Sequence, residues 1–222
     1  YFNSPLIDMI AVLFMFLAGI NFSLHFIAFR HRSVSGYWHD SEFRFYLFLI
    51  ALVSTLTVLG LYFTETYDRW QDALVNGLFQ AVSIGTTAGF TTAEFYNWPG
   101  FIAILLLFSS FVGGCAGSTG GGIKVIRLLL LVKQGLREIT RLVHPSAHIP
   151  VRVGTKNVDS RVVEAVWGFF ALYVASFTVM YLALATTGLD LMTAFSAVAA
   201  SINNLGPGLG GEIGRASCRE RV

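Results

Sequence analysis

Two stretches decide how this chain reads: Phe79–Gly89, FQAVSIGTTAG, and Phe195–Gly206, FSAVAASINNLG. Each opens on F-x-A-V and closes on a glycine, and the second is one residue longer. Ahead of the first, Leu74, Leu78 and Val82 recur at helical spacing. That apolar piece has only about 13 residues before Gly85, whereas a bilayer crossing takes about 20. It therefore reads as a re-entrant segment that enters and leaves on the same side. The second stretch follows the same plan: Asp190, a short apolar helix, then small and polar residues around a glycine.

Long apolar segments flank both stretches. They run over Leu6–Phe29, Phe45–Phe63, Phe101–Val132 and Val162–Thr186. Only 13% of the 222 residues are charged and 55% are hydrophobic, with a mean hydropathy of +0.65. A soluble domain carries roughly a quarter charged residues, so the composition indicates a membrane protein. The two cysteines, Cys115 and Cys218, offer no disulfide framework. The first ten residues show neither a basic region nor a cleavage site, so they do not read as a signal peptide, and the chain reads as starting in mid-protein.

If the four segments cross in alternation, the charges sort by side. One side holds Arg30, Arg32, Arg44, Lys124, Arg127, Lys133, Arg137, Arg141, Arg152, Lys156 and Arg161, and the other holds Arg69 alone, the three arginines of the last eight residues set aside. The positive-inside rule makes the basic side cytoplasmic. The opposite face carries Asp8, Glu65, Asp68, Asp72, Glu94 and Asp190. Such a face would concentrate cations, although each acid alone is also an ordinary solvated loop charge.

The closing glycines, Gly89 and Gly206, stand 117 positions apart, which indicates an internal repeat of crossing, re-entrant helix, glycine loop and crossing. On this plan residues 1–42 are the last helix of an earlier repeat plus a cytoplasmic loop. Residues 43–142 form one complete repeat, 143–160 a cytoplasmic linker, and 161–210 the first helix and re-entrant loop of the next. Residues 211–222 turn abruptly polar and read as foreign to the fold, a truncated native terminus being the alternative.

A permeating cation must exchange its water shell for protein oxygens, because a bare ion in low dielectric costs tens of kcal/mol. Inward-facing backbone carbonyls supply them. They need an unusual backbone, hence glycine, and side chains that leave the axis open. Thr86, Thr87, Ala88 and Gly89 satisfy this, as do Asn203, Asn204, Leu205 and Gly206, with potassium expected at Thr87, Ala88, Asn204 and Leu205. A tight turn also favours Asn, Gly and Pro; two such loops in repeat-equivalent places, each behind a short helix, weigh against that.

A third stretch interrupts the segment after Phe101: GGCAGSTGGG, residues 113–122. By composition it suggests a phosphate loop, but a Walker lysine follows glycine directly and precedes Ser or Thr. Here Ile123 separates Gly122 from Lys124, and Val125 follows. Irregular backbone at membrane depth persists only when buried in protein or lining a water-filled cavity. Gly113, Gly114, Gly117, Ser118, Thr119, Gly120, Gly121 and Gly122 therefore read as a gate beside a permeation path, with close helix packing as the competing explanation.

The motifs SIGTTAGFTTAEF, FSSFVGGCAGSTGGGIKVIR, KQGLREITRLVHP and FSAVAASINNLGPGLG resemble the Trk/Ktr/HKT potassium transporter superfamily, closest to the membrane subunit of bacterial Trk uptake, over residues 1–210. The resemblance implies an all-α membrane protein of repeated M1–P–M2 units, four around one pore, each giving a quarter of the filter. Residues 1–29 then correspond to the end of the second repeat, 43–142 to the third and 161–210 to the start of the fourth. With two filter quarters, the last helix and its arginine outside this sequence, the segment alone is not expected to form a working pore. The family's filter glycine falls on Gly89 and Gly206, and its intramembrane gate on 113–122. Potassium is then the substrate, with no bound cofactor and no enzymatic activity. The expected partners are membrane lipid, a second copy in a homodimer and a cytosolic nucleotide-binding regulatory subunit of the TrkA type, with no nucleic acid, in the bacterial cytoplasmic membrane as a multi-pass protein. A sodium-permeable or sodium-coupled relative is the alternative within transport. A membrane enzyme using the glycine loop is the more distant one, and Cys115 has no evident partner base for it.

Four smaller expectations complete the reading. Lys124 and Arg127 either repel cations in the closed state or anchor a helix at the interface. Residues 133–145 read as a basic amphipathic helix end facing the membrane surface or a partner. His144 and His148 belong to a solvated loop rather than a metal site, since Pro145 disrupts a helix there. Trp38, Trp70, Trp98 and Trp167 fit interface anchoring, and Asn21 and His25 interhelical hydrogen bonding.

Overall fold

The structure, a computed structural model, describes residues 4–144, 149–154 and 156–209. The tail beyond 210 and His148 lie outside the described residues. The chain opens with α1 (Pro5–Ala18), where proline occupies a first-turn position that has no amide to lose, and α2 (Phe22–His31). A short α3 (Ser35–His39) leads into α4 (Ser41–Phe63), started by the Asp40 carboxylate accepting from the Phe43 N–H at 2.7 Å. Then come α5 (Trp70–Gly85), α6 (Gly100–Val112), α7 (Val125–Val143), α8 (Ser160–Ala185) and α9 (Leu191–Ile202). Between α7 and α8 a hairpin pairs β1 (Arg152–Val153) with β2 (Lys156–Asn157), a small addition to the all-α plan.

α4 and α8 are each long and apolar enough to cross a membrane. α5 and α9 are not, and each ends on one of the two glycine loops. α5 is the centre of the molecule, packed by α1, α4 and α6. Its last turns, Phe79 to Gly85, are buried on every side. Small residues permit the close approach: a Cβ on Gly77 would sit 3.0 Å from Val58, and one on Gly60 3.0 Å from Ile102. One core joins Leu61, Ile84, Ile102 and Leu106 to Ala199 and Leu205 of the second re-entrant unit. A second joins Met15, Ile20, Tyr46, Phe79, Cys115 and Val125.

The structure departs from the sequence reading in three places. The segment Leu6–Phe29 is not one helix: α1 and α2 meet at 96°. Asn21 serves there as a local cap, its Oδ1 accepting from the Ser23 N–H at 2.9 Å. His25 spans the break, with one ring nitrogen 2.9 Å from the Leu17 carbonyl and the other 2.7 Å from the Tyr37 hydroxyl. Trp98 is only 6% exposed and packs edge-on against Tyr67, so it is a core residue. Trp38, Trp70 and Trp167 are exposed, as interface anchors require.

Candidate ion pathway

The two re-entrant helices end in the same way. Beyond α5, the Thr86, Thr87 and Ala88 N–H groups donate to the carbonyls of Val82, Ile84 and Ser83. Beyond α9, Asn203, Asn204 and Leu205 donate to Ala199, Ser201 and Ala200, at the same offsets of four, three and five residues. Left-handed φ falls at matching places: +58° at Thr87 and +77° at Gly89, +55° at Asn204 and +92° at Gly206. Threonine and asparagine hold this region at some cost, which glycine avoids. The carbonyls of Thr87, Ala88, Asn204 and Leu205 accept no hydrogen bond from another described residue. Both helices aim their C-terminal, partially negative ends at these loops, which favours a cation there.

The loops touch. A Cβ on Gly89 would collide with the Leu205 carbonyl oxygen and lie 3.4 Å from Pro207. Behind each loop a helix side chain holds the outgoing strand thirteen positions on: Gln80 Nε2 donates to the Ala93 carbonyl at 3.1 Å, and Ser196 Oγ to the Leu209 carbonyl at 2.5 Å. The one-residue difference in length is thereby absorbed. The second unit has an extra residue before its glycine and one fewer between the glycine and the tether. α9 starts at an Asp190 cap whose carboxyl is held below the usual carboxylate range by the Thr193 hydroxyl and N–H.

The glycine loop lies directly beneath. It fills the break between α1 and α2: Cys115 N–H donates to the Gly19 carbonyl at 2.8 Å, Thr119 N–H to Ala18 at 3.3 Å, and Phe22 N–H to Gly117 at 3.1 Å. The groups left orphaned where one helix stops and the next begins are satisfied by this loop. The Gly121 N–H donates to Thr87 Oγ1 at 2.5 Å. A Cβ on Gly120 would stand 2.9 Å from the Thr86 carbonyl oxygen, and one on Gly121 would strike that of Asn203. The loop thus reaches the first residue of both filter-like loops. Thr119 lines one cavity of about 410 Å³ together with Phe14, Ala18, Thr86, Thr87 and Ala88.

The chain has known relatives. The family model described as TrkH, cation transport protein, matches residues 1–221. This chain belongs to the TrkH family. It is 53% identical over 212 residues to the Trk system potassium uptake protein TrkH of Vibrio parahaemolyticus, covering 95% of this chain and 44% of that one. It is 48% identical over 210 residues to TrkH of Escherichia coli K12, at 95% and 44% coverage, and 40% identical over 211 residues to TrkG of the same strain, at 95% and 43%. The crystal structure of the potassium transporter TrkH from Vibrio parahaemolyticus superposes with a TM-score of 0.90 at 53% identity, covering 96% of this chain and 46% of that one. The chain therefore spans under half the length of these relatives, and its fold is that of a TrkH-family membrane protein built from M1–P–M2 units.

Within this TrkH-family fold, several residues take roles the sequence did not assign. The Asn203 side chain faces the protein: Oδ1 accepts from the Tyr173 hydroxyl at 2.5 Å, and Nδ2 donates to Ser110 Oγ at 3.3 Å. Thr86 Oγ1 donates back to the Val82 carbonyl at 2.7 Å. Both side chains are thus engaged by neighbouring protein groups. Lys124 is drawn into the loop, its ammonium donating to the Gly120 carbonyl. Arg127 donates to the Ile123 carbonyl at 3.3 Å and sits 4.0 Å over the Phe169 ring. Close packing accounts for more of the glycines than the sequence reading allowed. A Cβ at Gly113, Gly114, Gly120, Gly121 or Gly122 would come within 3.0 Å of a main-chain atom. No group of three metal-ligating side chains occurs among the described residues.

Proposed function

We propose that this chain supplies two of the filter loops and the intramembrane gate of a potassium uptake pore in the bacterial cytoplasmic membrane. Residues 43–142 act as one complete repeat and 161–210 as the start of the next. Potassium arrives from the acidic face and exchanges water for the carbonyls of Thr87, Ala88, Asn204 and Leu205. It then meets the barrier of residues 113–122. The observation that carries this reading is the pair of loops with matching hydrogen bonds and matching left-handed positions, in contact with each other and with the glycine loop below. Two helices that point their negative ends at a shared opening select for cations, and carbonyls held at fixed places select among them. The names of the relatives, Trk system potassium uptake proteins, support potassium as the ion. The words Trk system in those names support an assembly with further subunits, which we take to be a second copy and a nucleotide-binding regulatory subunit of the TrkA type on the basic side.

Rubidium uptake by proteoliposomes holding a full-length version of the protein tests this directly. External potassium is expected to compete with rubidium, and sodium at the same concentration to leave uptake almost unchanged. Equal competition by sodium, or no uptake, would contradict the reading.

A further inference from the structure

We propose that Glu42 is a positioning residue that clasps the glycine loop and holds it closed against the re-entrant helices. Glu42 lies in the first turn of α4 and is only 7% exposed. Its own helix does not need it as a cap, because Asp40 already accepts from Phe43. Instead Glu42 Oε1 accepts from the Ala116 N–H at 2.6 Å and from the Ile126 N–H at 3.2 Å. These donors are ten positions apart in sequence, one inside the loop and the other in the first turn of α7. A single oxygen therefore ties the near limb of the loop to the helix that follows it. The chemistry suits a carboxylate. The positive ends of α4 and α7 converge on it, and charge-assisted bonds of this kind are about twice as strong as neutral ones. Among the described residues no ion pair competes for it.

The clasp bears on the pathway through the loop's other contacts. Ala116 lies between Cys115, whose N–H is held by the Gly19 carbonyl, and Gly117, whose carbonyl holds Phe22. The far limb carries the Gly121 N–H bonded to Thr87. Releasing the near limb frees the loop to swing away from the filter loops while leaving their own hydrogen bonds to α5 and α9 intact. The effect on ion flow rests on the gate reading above; the effect on the loop does not.

Two readouts separate these claims, both on the full-length protein. Cys115 is fully buried in the loop and serves as a reporter in a background whose other cysteines are serine. In the Glu42→Ala variant, which loses both bonds, maleimide labelling of Cys115 is expected to accelerate about tenfold or more, the effect of losing the one charge-assisted bond that reaches the loop, from Ala116. Glu42→Gln keeps an acceptor oxygen without the charge and should fall between. Rubidium flux should rise by a similar factor in Glu42→Ala, with rubidium still preferred over sodium. Unchanged labelling overturns the clasp whatever the flux does. Faster labelling without greater flux upholds the clasp and overturns the gate. Should the alanine variant fail to assemble, the labelling of Glu42→Gln against the parent decides by the same criterion.

Discussion

Serine in place of Gly89 is expected to lower potassium-over-sodium selection in the full-length protein by at least tenfold, roughly the consequence of 1.4 kcal/mol misplaced at the filter. Two independent penalties meet at this position. Its φ of +77° costs an L-residue with a Cβ on the order of 1–2 kcal/mol. The added Cβ also collides with the Leu205 carbonyl oxygen, which is one of the proposed ion ligands. The strain cannot be relieved by a side-chain rotation, because the neighbour is main chain. It must move either loop, and both contribute carbonyls. Gly206 provides the control. Its φ is +92°, yet among the described residues nothing lies within 4 Å of a Cβ built there. Gly206→Asn, with a residue that tolerates left-handed φ, is expected to disturb selection much less. The readout is rubidium uptake under sodium competition, and equal effects at the two glycines would show that the contact between the loops is irrelevant to selection.

Deleting Gly117 to Gly122 is expected to raise rubidium flux about tenfold or more, since a barrier of even 1.4 kcal/mol would account for that factor. The deletion takes away the part of the loop that stands beneath the proposed filter. It also removes the Gly121 N–H from Thr87 Oγ1 at 2.5 Å, so selection should weaken modestly while flux rises. The anchors outside the deletion persist, namely Cys115 to Gly19 and Ile123 to the Phe111 carbonyl. Assembly is checked by the elution volume and thermal unfolding of the purified variant. A well-assembled variant with unaltered flux would leave the glycines with packing as their whole purpose.

The parts of this fold that were legible in the sequence are those set by local pattern. α5 is too short to span and is followed by TTAG, which marked a re-entrant unit. The run of glycines after α6 announced irregular backbone, and a repeat motif tied the second unit to the first. What was not legible depends on partners far along the chain. Gly19 is a single glycine within an apolar run, a weak signal, and the 96° bend after it is stabilised by Cys115 and Gly117 of the glycine loop, about a hundred residues further along the chain. The Asn203 side chain is held by Tyr173 and Ser110, 30 and 93 residues away, partners that no local pattern announces. Trp98 sits near a predicted boundary, yet Tyr67 and the core enclose it. Glu42 shows no spacing relation to the loop, since its donors lie 74 and 84 residues away. The two motifs align by F-x-A-V at one register and by their glycines at another. The hydrogen bonds show where the extra residue is absorbed, which letters alone do not.

Main-chain carbonyls of the two glycine loops are proposed to hold the ion. Anomalous diffraction from rubidium-soaked crystals of the full-length protein tests it most directly. A rubidium peak is expected within about 3 Å of the carbonyl oxygens of Thr87, Ala88, Asn204 and Leu205. A peak held by side chains elsewhere, with none between these loops, would contradict it.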